Sequence, residues 1–348
     1  MAATRRPQLL ATSLVGSYPQ PGWLIDRDAL QALRVPRTRA PEVWRVPPEL
    51  LEEAQDDAAR LAIADQERAG LDVVTDGEVR RESYSNHFAT ALEGVDPSRA
   101  GSVGGRGGHE VRVPLFSGPV RLRAPVGTRD VAFLRAQTDR AVKVTVPGPF
   151  TMSEQAETTH YADRRALASD LADAVRAQVE ALLDAGADVV QLDEPWLERF
   201  PERACAYGAE VINRAIEGLP GTIALHVCFG YGSLIADKPP TYASLGVLAD
   251  TAAHQVSLEA AQPHLELSQL KALGDKTIIL GVLDLRDHQV EPAALVAERA
   301  RAALEHLPPE RLVLAPDCGM KFLPRPVAFG KLQSMVEAAR AVRVEQGA

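Results

Sequence analysis

The chain has 348 residues, 46% hydrophobic and 24% charged, and its 38 basic against 47 acidic side chains leave a formal net charge of −9. This is ordinary globular composition, and the acidic balance argues against a nucleic acid or an anionic membrane as the main partner. No apolar run reaches the roughly 18 residues a membrane span needs, and the basic start Met1–Gln8 is not followed by a signal-type apolar core.

In chain order, apolar or β-branched runs predict strands at Leu10–Gly16, Asp72–Thr75, Ala141–Val146 and Val189–Leu192. They continue at Thr222–His226, Gln255–Leu258, Thr277–Leu283 and Arg311–Ala315. Amphipathic stretches such as Glu49–Ala69, Arg164–Ala185, Pro292–Leu307 and Pro326–Val342 predict helices between and after them. Near-continuous apolar strands alternating with helices indicate a parallel sheet buried on both faces. Eight such units point to an α/β fold, a (β/α)8 TIM barrel forming one domain over residues 1–348, with an open doubly wound sheet as the alternative. Residues 79–140 break the rhythm. Alternation at Glu110–Phe116 and Val120–Ala124 about a Gly-Pro predicts a hairpin inserted after the second strand, a lid or a subunit contact. The glycine-rich run Gly101–Gly108 lacks the strand-then-helix context of a phosphate loop and reads as a flexible loop.

Several strands end in polar or turn residues: Gly16-Ser17-Tyr18-Pro19, Asp76-Gly77-Glu78, Asp193-Glu194-Pro195, His226-Val227-Cys228, Glu259 and Asp317-Cys318-Gly319. The C-terminal ends of barrel strands open on one face, so these segments are expected to converge. His226 and Cys228, two apart on an extended segment, point to the same side. With Cys318 after the eighth strand and Glu259 after the sixth, they make an N, S, S, O donor set suited to tetrahedral zinc. A buried His and a core Cys explain the triplet alone equally well. The three cysteines, Cys205, Cys228 and Cys318, are too few and too scattered for a disulfide framework. That leaves thiolates available for metal in a reducing cytoplasm. Cys205 reads as a packed small hydrophobe in a helix, and His87, His160 and His264 have no visible partner.

These motifs, with Ala315-Pro316 before Asp317-Cys318-Gly319-Met320-Lys321, Val256-Ser257-Leu258-Glu259 and Gln191-Leu192-Asp193-Glu194-Pro195, occur in one order from about Leu14 to Lys321. In that order they resemble the catalytic half of the cobalamin-independent methionine synthases. The resemblance implies a zinc-dependent methyltransferase of methionine biosynthesis with His226, Cys228, Glu259 and Cys318 as ligands. It also implies homocysteine bound through Ser17, Glu78 and Asp193, and a methyl donor that is a methylfolate or a methylated corrinoid protein. The chemistry is consistent: a free thiol ionises near ~8.5, and zinc coordination deprotonates it while leaving a nucleophilic sulfur. Glu78 and Asp193 would face a substrate ammonium.

The pattern departs from the family in three places. The tandem N-terminal half is missing. Gln155 stands where the family carries a Trp suited to stacking on a pterin. The acid-base His position holds Arg286, which cannot donate a proton at neutral pH, so His288, two residues on, is the candidate general acid. Asp284 is a candidate orienting group or an ordinary strand-end residue. Alkyl transfer to another thiol, as in the epoxyalkane:coenzyme M transferases, is the runner-up; its sulfonate thiol would want Arg or Lys where Glu78 and Asp193 stand. A non-catalytic zinc-binding barrel and a decarboxylase of the uroporphyrinogen type complete the alternatives.

Overall fold

The computed structural model of the protein describes residues 8–104, 110–231 and 235–347. Among these residues ten strands are formed: β1 (Val73–Val74), β2 (Glu93–Gly104), β3 (Glu110–Arg121), β4 (Ala141–Pro147) and β5 (Glu157–Thr158), then β6 (Val189–Asp193), β7 (Thr222–Val227), β8 (Gln255–Leu258), β9 (Thr277–Leu283) and β10 (Leu312–Pro316). Seven of them make one parallel sheet in the order β1-β4-β6-β7-β8-β9-β10. The remaining gap is filled by residues 11–13. Ser13 N donates to Leu314 O (3.0 Å) and Leu314 N to Ala11 O (2.8 Å), while Val73 N donates to Thr12 O (3.0 Å) on the other side. The first predicted strand is thus reduced to bridges at Thr12 and Ser13, but it closes the sheet into a barrel.

The strands form where burial on both faces selects continuous apolar sequence. Every residue of β4 after Ala141 and of β9 after Thr277 is buried. Val15, Ala224, Ile279 and Ala315 form a small cluster apart from the main core; Ala224 shares its strand face with His226 two residues on, which marks this cluster as an interior layer beneath the site. Helices cover the outside, among them Pro48–Ala69, Arg164–Asp184, Ala293–Leu304 and Arg325–Glu345. Asp163 caps the second of these by accepting from Ala166 N at 2.8 Å. Gly70 ends the first with φ of +96°. No helix among the described residues is long and apolar enough to cross a membrane.

The hairpin after β1 is present, but its arms differ from the predicted ones. β2 pairs antiparallel with β3, and β5 adds to β3. Gly118-Pro119 lies inside β3 rather than at the turn, because Gly94 (φ +88°) lets the opposite arm approach it: a Cβ on Gly94 would meet Gly118 O at 2.6 Å. The alternation is therefore one bent strand. Gly101–Gly104 belong to β2, while the rest of the glycine run, like Met1–Pro7 of the basic start, lies outside the described residues.

Candidate metal centre and substrate cavity

The parallel register brings the strand ends together. Asp193 pairs with His226, and His226 with Ser257, across β6, β7 and β8. Cys318 follows β10. The ligand atoms of His226, Cys228 and Cys318 all lie within 4.8 Å of one another, and all three residues are buried. The Cys318 thiol donates to Cys228 Sγ at 3.7 Å. His226 Nδ1 meets Ser257 Oγ at 2.9 Å, while Nε2 is buried with no hydrogen-bond partner. The ring is thus fixed by one nitrogen and offers the other to the cluster, the arrangement a metal-ligating His adopts. Two soft sulfurs and an unsatisfied imidazole nitrogen fit zinc.

The electrostatics favour a thiolate. The thiol of Cys318 beside it, and the positive His226 and Lys238, hold Cys228 well below the ordinary thiol range against the opposing effect of burial. Burial opposes the charged form of His226, but the Cys228 thiolate outweighs it and pushes the imidazole up.

Glu259 is fully buried beside this cluster. Its Oε1 accepts from Phe229 N at 3.2 Å and its Oε2 from Lys238 Nζ at 2.5 Å. The loop that carries it is pinned by Asp317, which accepts from the backbone N–H groups of Ala260, Ala261 and Gln262. Sequence reasoning noticed Asp317 as part of a motif but not this role. Lys238 was missed altogether; a lysine in a connecting loop carries no pattern that distinguishes it.

On the far side of the cluster lies a carboxylate pair. Asp193 is buried, and burial pushes its carboxyl up to about 7, with His226 opposing and Glu78 adding to the rise. Gln191 Nε2 donates to Asp193 Oδ1 at 2.8 Å and orients it. Glu78 sits at φ of +51°, a left-handed conformation uncommon for a non-glycine residue. Asp76 Oδ1 supports that turn by accepting from Glu78 N at 2.9 Å. Glu78 Oε1 accepts from Thr145 Oγ1 (2.7 Å), and Arg81 donates to Thr145 (3.0 Å). Its other oxygen is buried without a partner. Such outliers concentrate at functional sites. Gly16 is needed for this packing: a Cβ there would lie 2.4 Å from Glu78 Oε1. Ser17 is buried, and its carbonyl accepts from Met320 N at 2.9 Å, tying the first strand end to the Cys318 loop.

A cavity of about 580 Å³ joins these groups. Ser17, Glu78, Asp193, His226, Cys228 and Cys318 line it, with Gln155, whose Nε2 donates to Tyr84 OH at 2.6 Å. Its outer wall comes from residues 32–40, from Val103 and 110–113 of the hairpin, and from Trp196 and Arg199. Arg34, Arg37, Arg39, Arg112 and Arg199 make that wall basic, in contrast with the acidic chain as a whole.

Other expected residues lie elsewhere. His288 stands on an exposed loop and is not among the cavity's lining residues. Asp284 Oδ1 accepts from Arg286 N, a local turn contact. Cys205 is exposed, not packed, on the solvent side of a π-helical turn over Ala204–Gly208 whose buried residues are Ala204, Tyr207 and Gly208.

The sequence matches the family model described as "Cobalamin-independent synthase, Catalytic domain" over residues 10–341. It is 34% identical to a methionine synthase of Saccharolobus solfataricus over 340 residues, 97% of this chain and 96% of that protein. A methionine synthase of Pyrococcus abyssi is 32% identical over 97% of this chain and 94% of its own length. Among solved structures, a B12-independent methionine synthase from Shewanella sp. W3-18-1, in complex with selenomethionine, superposes with a TM-score of 0.87 at 33% identity, covering 97% of this chain and 99% of that one.

Proposed function

The chain belongs to the cobalamin-independent methionine synthase catalytic-domain family, and from that premise we propose that it methylates the thiol of homocysteine to give methionine. In this reading zinc is held by His226, Cys228 and Cys318, with Glu259 as a fourth, exchangeable donor. The observation that carries it is one buried His-Cys-Cys cluster opening on the same cavity as Glu78 and Asp193. The similar Shewanella protein is in complex with selenomethionine, a selenium analogue of the proposed product.

When bound, zinc takes the place of the thiol proton and keeps the sulfur anionic and nucleophilic at neutral pH. The chain's own residues do the rest. Ser257 fixes the imidazole of His226 so that Nε2 faces the sulfurs. Glu78 offers an unpartnered oxygen to the substrate ammonium, and the arriving cation favours ionisation of Asp193, whose carboxyl burial holds near 7. Ser17, at the end of the first strand and lining the cavity, receives the substrate carboxylate in this reading. The hairpin within 79–140 serves as one wall of the cavity in a single barrel domain. A methyl donor, either a methylfolate or a methylated corrinoid protein, enters past the arginine wall. His288, exposed and outside the cavity lining, has no role in proton delivery in this scheme. A reducing cytoplasm would keep both ligand thiols available.

The test is a methyl-transfer assay on zinc-loaded protein with homocysteine and each donor class in turn, with methionine measured by mass spectrometry. Methionine formation with one donor is the expected result. Failure with both, together with alkylation of coenzyme M by an epoxide, would assign the site to the other thiol.

A further inference from the structure

Lys238 is the one cation in direct contact with the proposed ligand set among the described residues. It lies in the connection between β7 and the Leu245–Ala249 helix, and its side chain is 1% exposed against 0% for Glu259. Its ammonium donates to Gly230 O at 2.8 Å and to Glu259 Oε2, so it ties the loop after Cys228 to the strand end that carries Glu259. A buried lysine beside a buried carboxylate is costly to desolvate, and removing either partner leaves an uncompensated charge. Both oxygens of Glu259 already accept a hydrogen bond, Oε1 from Phe229 N and Oε2 from Lys238 Nζ, so a metal drawn to that carboxylate competes with these donors for its lone pairs.

Charge counting suggests what the pair does. Two thiolates and a carboxylate around a divalent ion leave about −1 by unit charges. Adding a substrate thiolate takes the site to about −2 in a water-poor barrel mouth, where like charges are poorly screened. A fixed ammonium offsets one unit in both states, so the site stands at about 0 before the substrate thiolate arrives and about −1 after it, rather than about −2. We propose that Lys238 is the counter-ion of the metal centre, competing with the metal for Glu259 and holding that carboxylate when the substrate thiolate takes its place. This rests on the functional reading above. Lys238 is then a positioning residue that trades metal affinity for thiolate affinity.

The trade has a signature that a merely structural ion pair lacks. In Lys238→Met, cobalt(II), used as the metal probe and measured by competition with a chelator, should bind about tenfold more tightly, because Glu259 is freed for the metal. Homocysteine, followed by titration of the cobalt-loaded protein, should bind about tenfold more weakly; one nearby opposite charge commonly shifts such equilibria by that order. Lys238→Arg keeps the charge and should stay near wild type in both. In a Glu259→Gln background, Lys238→Met should no longer tighten metal. Equal or same-direction changes in metal and thiol affinity, or a tightening that persists in Glu259→Gln, would overturn the proposal. Should Lys238→Met not fold, a Lys238→Arg protein with both affinities lowered would overturn it as well. Failure of wild-type cobalt-loaded protein to bind homocysteine would instead reject the functional reading itself.

Discussion

The two ends of the cavity are built differently. The inner end is made of strand termini: His226 and Asp193 sit side by side by register, and Cys228 and Cys318 follow within two residues of β7 and β10. The outer wall is made mostly of peripheral segments: the 32–40 stretch, Val103 and 110–113 at the ends of the two hairpin arms, and the turn after β6. Strand ends are held by the whole barrel, so side chains on them are preorganised; loop residues are free to vary and to adapt to a partner. On the proposed reading, thiol activation belongs to the rigid end and the choice of donor to the adaptable one.

The largest effect expected from this contrast is at the rigid end. Cys318→Ser should weaken zinc binding by more than the roughly 10–100-fold typical of lost outer-sphere partners, and abolish methyl transfer. The circular-dichroism spectrum and cooperative unfolding should persist, since Cys318 lies after the strand rather than in it. Full metal content in that variant would remove Cys318 from the site.

Next come Glu78→Gln and Asp193→Asn. Each removes a charge-assisted hydrogen bond, a loss of about 2–3 kcal/mol or roughly 100-fold in KM for homocysteine. Zinc content should be unchanged, which separates the substrate pocket from the metal cluster by elemental analysis alongside kinetics.

Lys143 probes the floor beneath both. It is fully buried, its ammonium donates to Leu14 O, and burial pulls its pKa down to about 7 despite Asp193 and Glu78 nearby. Between pH 7 and the unfolded value near 10.5 the unfolded chain binds one more proton at this position than the folded chain does. Its contribution to stability is therefore full above that window and is lost as pH falls through it, with a slope of about 1.4 kcal/mol per pH unit at most. Denaturant unfolding of Lys143→Met across this range should show a flatter rise with pH than wild type. An identical slope would mean that Lys143 stays charged in the fold.

The smallest effect is expected at the outer wall. Arg112→Ala should raise KM for the methyl donor only about two- to fivefold, with a dependence on ionic strength, as exposed charges contribute roughly 0.2–1 kcal/mol. Homocysteine affinity should not move. A larger effect on the acceptor than on the donor would reverse the assignment of the two ends.

The same contrast explains what could be read from sequence. Qualities fixed by burial were legible: Gln255–Leu258 and Thr277–Leu283 were bounded to the residue, because strands covered on both faces write continuous apolar runs. The donor chemistry of His226, Cys228 and Cys318 was legible because few other residue types bind soft metal. Contacts between distant loops were not. Lys238 reaching Glu259, Asp317 gathering three N–H groups, and the Arg81–Thr145–Glu78 chain depend on tertiary approach that leaves no local pattern. The hairpin arms were misjudged because Gly118-Pro119 looks like a turn yet sits in β3, accommodated by Gly94 opposite. His288 drew attention because it lies two residues beyond Arg286, which holds the family's acid-base His position, but it stands exposed outside the cavity lining.

The most direct test of the central claim is visible and near-ultraviolet absorption of cobalt-substituted protein during titration with homocysteine. Absorption from thiolate-to-cobalt charge transfer should grow to saturation with homocysteine and not with homoserine, which lacks the sulfur. A spectrum that stays unchanged while cobalt remains bound would contradict an open, thiol-accepting metal centre.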